Sequence, residues 1–163
     1  MRDDEIVTYM NILLDSLKKK EELLLNLKTE TLKQAGILEK DDFDADAFDA
    51  TIDEKQKMLD ELAKLDDGFM DVYSKVKETL TSNGSDYSGE IGKAKDYIKR
   101  QTDLSVELQA LEEKNRTKLA IRLSQGRQKV KDFRTSSKTA AAYYKNMTNR
   151  HQEGDSYFLD RKK

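Results

Sequence analysis

Apolar residues recur along this chain at steps of three and four in three long stretches, separated by two polar breaks. In the first stretch Ile6, Met10, Leu13, Leu17, Leu24 and Leu27 form a heptad seam, and Leu14 and Leu23 widen it. In the second, Phe48, Ile52, Leu59, Leu62, Phe69, Tyr73, Val76 and Leu80 do the same. In the third, Ile91, Ala94, Ile98, Leu104, Leu108, Leu111, Leu119, Leu123, Val130, Phe133, Ala140 and Tyr144 share one stripe. The spacing predicts helices from Asp3 or Asp4 to about Ala35, from about Asp46 to Leu80, and from Glu90 to about Asn146.

The punctuation agrees with that division. Asp3 and Asp4 suit the positive end of a helix, and Gly36 stands where a C-cap is expected, with Ile37 and Leu38 closing back over the last turn. The acidic loop EKDDFDAD precedes the second helix, and Ser82 to Gly89, with Asn83-Gly84 at its centre, is the clearest break in the chain. Gly68 lies inside the second stretch, where a glycine costs about 1 kcal/mol relative to alanine or kinks the helix. Few polar residues interrupt the seams. They are Lys20 in the first, Lys55 and Asp66 in the second, and Gln101 and Asn115 beside the third, where isolated polar groups fix register.

Lengths do not match. At about 1.5 Å per residue the first two helices reach roughly 50 to 55 Å and the third roughly 85 Å. Short connections make neighbours antiparallel, so the shorter helices run out near residue 125, where Gly126 stands among Ser124, Gln125 and Gln128. The expected fold is therefore all-α: an elongated antiparallel three-helix bundle or coiled coil over residues 1–125, with a long, overhanging C-terminal helix. Residues 126–146 are the arm, and 147–163 a flexible tail ending in Tyr157, Phe158 and Leu159. The seam of the arm has no partner in such a bundle. It folds back, frays, pairs with its own copy in a homodimer, or lays its apolar face against a client's helices.

Charge sharpens the picture of the arm. Residues 1–112 carry 16 Lys/Arg against 27 Asp/Glu, net −11, whereas residues 113–163 carry 14 against 5, net +9. An acidic body with a basic arm fits an acidic client, nucleic acid or an anionic surface. A nucleic-acid reading would use Arg116, Lys118, Arg122, Arg127, Lys129, Lys131 and Arg134, but these residues have no interleaved aromatic platform and no DNA-binding motif, so no nucleic-acid partner is expected.

Other chemistry is sparse. With 163 residues, no cysteine and the single histidine His151, the chain offers no disulfide and no multi-histidine metal site. Asp42, Asp44 and Asp46 imitate the start of a calcium loop, but Ala47 and Asp53 stand where glycine and glutamate belong. Carboxylates lie beside lysines at helical spacing rather than in an isolated acid–base pair, so neither an enzyme nor a cofactor is expected. The acidic N-terminus MRDDEIV and the lack of any 18-residue apolar run suggest a soluble intracellular protein without a membrane span.

The order of segments resembles the FlgN family of flagellar type III export chaperones. The likeness covers nearly the whole chain: LLDSLKKKEELLLNL in the first helix, IDEKQKMLDELAKLDDGF in the second, LQALEEKNRTKLAIRL in the third, then AYYKN and a terminal SYFLDRKK. The lysine-rich C-terminal half and aromatic tail depart from the enterobacterial members. The resemblance implies a cytoplasmic helical chaperone that binds the hook–filament junction proteins FlgK and FlgL and delivers them to the export machinery, including its export-gate components. It also implies a client-binding C-terminal region, which falls on Leu119, Leu123, Val130, Phe133, Tyr143 and Tyr144. A structural coiled-coil component, or a FliT-like secretion chaperone, is the alternative of the same general shape.

Overall fold

The computed structural model describes residues 2–126, 130, 133 and 137–147. Every described element is helical: α1 spans Asp3–Glu39, α2 spans Ala45–Asn83, a single 3₁₀ turn covers Gly84–Tyr87, and α3 spans Ser88–Gln125. Residues 137–147 form a further helix, α4. The all-α bundle expected from the periodicity is present; its C-terminal part differs from the expectation.

Local signals explain most helix ends. Asp3, Asp4 and Glu5 occupy the first turn of α1, where their charge meets the helix dipole. The Asp44 carboxylate accepts from the Ala47 amide at 3.0 Å and caps α2. Gly36 does not end α1, which continues to Glu39. The extra turn buries Ile37 and Leu38 against Phe43 and Phe48, and burying two such side chains, at about 1.5–3 kcal/mol each, outweighs the roughly 1 kcal/mol cost of a helical glycine. Gly68 likewise stays inside an unbroken α2.

Helix directions follow from the cross-helix bonds. Arg100–Glu21, Lys28–Glu107 and Lys118–Glu39, at 2.9, 2.7 and 2.7 Å, are all separated by 79 residues, so α1 and α3 run parallel and in register. Lys20 meets Asp66 and Gln34 meets Lys55, so α1 and α2 are antiparallel. Helix α1 packs along both α2 and α3, which meet each other at few points. The expectation that consecutive helices are nearest neighbours thus holds for α1 and α2 but not for α2 and α3.

Three buried clusters run along the bundle. At the end near the 3₁₀ turn, Ile6, Met10, Leu13 and Leu17 meet Tyr73, Val76 and Leu80 of α2 and Ile91, Ala94 and Ile98 of α3. In the middle, Leu24, Leu27, Leu59, Leu62, Leu104 and Leu108 surround Ala140, Tyr144 and Met147. At the far end Ile37, Leu38, Phe43, Phe48, Ile52 and Leu119 enclose Phe133.

The overhanging helix is the main correction. Helix α3 stops at Gln125, Gly126 takes an extended backbone at φ −143° and ψ 178°, and the chain returns along the bundle as α4. Folding back buries Phe133, Ala140, Tyr144 and Met147, which a straight arm would leave in water. Several kcal/mol of apolar burial exceed what an unbroken helix offers through local propensity alone. The C-terminal half of the bundle is consequently four-stranded. Met147, expected to open the flexible tail, is instead a buried residue at the end of α4; the rest of the tail, including His151, Tyr157, Phe158 and Leu159, lies outside the described residues.

Candidate client-binding surface

The arm reaches its groove through a heptad row of its own. Val130, Phe133, Ser137, Ala140, Tyr144 and Met147 step by four and three, and all but the partly covered Val130 are buried. Phe133 sets its edge on Phe48 of α2, with centroids 5.0 Å apart and planes at 67°. Ser137 Oγ accepts two bonds of 3.2 Å from the Arg116 guanidinium on α3. Tyr143 donates its hydroxyl to Asp66 of α2 at 2.7 Å. Helix α4 therefore touches α2 on one side and α3 on the other, filling the space that those two helices leave between them.

Two polar layers underlie the groove, and both contain residues that interrupt the sequence seams. Lys20 donates to Asp66 at 2.5 Å, so the Asp66 carboxylate holds α1 through one oxygen and α4, through Tyr143, by the other. Deeper in, Lys55 contacts Glu112 and donates to Gln34 at 3.0 Å. Asn115 donates to the Thr31 carbonyl at 2.9 Å, and Gln101 to the Leu17 carbonyl at 2.7 Å, so both polar residues beside the third seam bond across to α1. Glu112 is fully buried, although as a charged residue it does not stand out among the apolar positions of the third stripe. The signal was available: counting back in sevens from Leu119 lands on it.

Burial sets the electrostatics of this region. Desolvation depresses the Lys55 ammonium below the ordinary lysine value, and the charges of Glu112 and Glu30 offset part of that. Desolvation also lifts the Tyr144 hydroxyl well above the usual phenol range, with the Glu112 charge adding to it. A cavity of about 10 Å³ lies between Gln34, Lys55 and Glu112 on the bundle and Phe133, Ser137 and Ala140 on the arm. That is room for no more than about one water, far too little for a substrate. Glu112 Oε2 and Gln34 Nε2 beside it have no hydrogen-bond partner among the described residues.

The six residues assigned to client binding separate into two groups. Leu119, Phe133 and Tyr144 are core side chains, exposed by 4%, 5% and 0%. Leu123, at 38% exposed, stands on the surface, whereas Val130 and Tyr143 are partly covered. Phe133, Tyr143 and Tyr144 are brought together on the arm face that meets the bundle, so the seam that was expected to be bare is occupied by the protein's own groove. Substituting aspartate at Val130 and Phe133 would therefore strike the core as well as the arm.

The basic residues are similarly engaged. Arg116 pairs with Glu113 at 2.9 Å, Lys118 with Glu39, and Arg122 donates to the Leu38 carbonyl at 2.9 Å, closing the end of α1. Arg127, Lys129, Lys131 and Arg134 lie outside the described residues. Among the described residues no group of three or more His, Cys, Asp or Glu is placed to hold a metal ion, and no helix is long and apolar enough to cross a membrane.

Fold and groove together define an all-α bundle that holds an amphipathic helix between two of its own. No protein-family model, curated protein or solved structure matches the chain.

Proposed function

We propose that the protein is a cytoplasmic export chaperone of the FlgN kind, which covers an amphipathic helix of a hook–filament junction protein until the client is handed to the export machinery. The observation that carries this reading is α4 itself: an amphipathic helix seated between α2 and α3 through an apolar heptad row and two hydroxyl contacts. Helix-in-groove packing of this type is a general mode of peptide recognition, with anchors at steps of three and four residues. The order of sequence segments supports the choice of client. In this reading the client engages the arm, and Leu123, Val130 and Tyr143 are the first points of contact because they are the accessible ones.

Titration calorimetry and co-elution of the full chain with a purified FlgK-like junction protein test the proposal. A defined complex that is lost in a Leu123→Asp variant is expected, with the variant's helix content unchanged, because Leu123 is exposed. No heat and no co-elution with the unmodified chain would reject it.

A further inference from the structure

We infer that the arm exchanges between two copies of this chain, α4 of each filling the groove between α2 and α3 of the other. The inference is independent of the client reading. Every seventh residue from Ile91 to Met147 lies on one unbroken row, and all of them are buried except Gly126. Such a pattern suits one continuous helix, yet the chain departs from helix at that one exposed position. Local periodicity favours a straight α3, and burial of the arm favours the return.

A straightened arm leaves two complementary surfaces bare, its own apolar row and the groove that held it. A second copy of the chain restores every contact of the closed form, including Tyr143 to Asp66 and Arg116 to Ser137, because its groove is the same groove. Closed monomer and exchanged dimer then differ only at the hinge and in the entropy of association, the condition under which swapping is cheap. Gly126 has φ −143°, a region open to any residue, so alanine is compatible with the closed form while favouring helix at the hinge.

Two full-length preparations with different isotope labels, mixed in denaturant and refolded together, provide the test. Isotope-filtered NMR is expected to show intermolecular contacts from the ring of Phe133 to the methyls of Ile52 and Leu119, and from the ring of Tyr144 to those of Leu59 and Leu108. Sedimentation equilibrium should show a concentration-dependent dimer. Gly126→Ala favours helix about fivefold at each of two hinges, so it should lower the dimer dissociation constant roughly 30-fold. A monomer at every concentration for both chains overturns the inference. So does a dimer in which those ring–methyl contacts are solely intramolecular.

Discussion

The two halves of the bundle solve the same packing problem with different materials. Near the 3₁₀ turn, three helices close over an apolar cluster reaching from Ile6 to Ile98. Beyond it, where α4 joins, the interior carries Lys20, Asp66, Lys55, Glu112, Gln34 and Asn115 in bonded layers. An apolar seam holds helices at the right distance but tolerates sliding by a turn, whereas a buried charge that must find its partner does not. The half that accepts a returning segment is the half in which buried charges add to the specification of register.

The difference can be broken most forcefully at Glu112. Glu112→Gln leaves the Lys55 ammonium buried with a weaker partner and is expected to cost about 3–5 kcal/mol in urea unfolding. The double variant Lys55→Met, Glu112→Leu should recover most of that loss, since a well-packed apolar pair replaces the ion pair. Leu13→Ala in the apolar half should cost a comparable amount but show no such rescue by its neighbours.

Next in size is the tether between α4 and α2. Tyr143→Phe removes a hydrogen bond to a carboxylate and should destabilise by about 1.5–3 kcal/mol. Hydrogen exchange should localise the effect, with protection falling in residues 137–147 while the amides around Met10 and Val76 keep theirs.

A pH scan sharpens the contrast further. The Tyr144 hydroxyl titrates higher in the folded than in the unfolded chain, so its stabilising contribution is complete below about pH 10 and declines as pH rises beyond it. The slope is about 1.4 kcal/mol per pH unit. Lys55, depressed in the folded chain, has the opposite sign: stability rises with pH until its unfolded value of 10.5 is passed. Above that value the difference between the wild type and Tyr144→Phe isolates the tyrosine, and the variant should lose stability less steeply.

The smallest effect is expected at the helical glycines. A Cβ added at Gly36 or at Gly92 meets nothing within 4 Å. Alanine at either site should add up to about 1 kcal/mol, equally in the two halves. A gain confined to one half would mean that the halves unfold separately.

How much was legible follows from the kind of signal. Seams such as Ile6 to Leu27 and Phe48 to Leu80 are local periodicities, and they placed the first two helices to within a few residues. Lys20, Lys55 and Asp66 were recognisable as interruptions, but their partners were not, because pairing depends on which helices meet. That α3 lies along α1 rather than α2 could not be read from connection lengths. The arm's seam, Phe133 to Tyr144, was visible, and so was its lack of a partner in a three-helix bundle. Its destination was not, because continuing a helix is favoured locally while returning is favoured only by burial against distant residues. Gly126 marked the place of that choice without deciding it.

The most direct test of the folded-back arm is a distance across the groove. The chain has no native cysteine, so spin labels placed at Lys64 and Lys145 are unique. Double electron–electron resonance at a protein concentration low enough to keep the chain monomeric should give one distance below about 25 Å, because Tyr143 rests on Asp66. A straight α3 would carry residue 145 some 30 Å past the end of the bundle and place the labels more than about 50 Å apart. A distribution centred there would contradict the account.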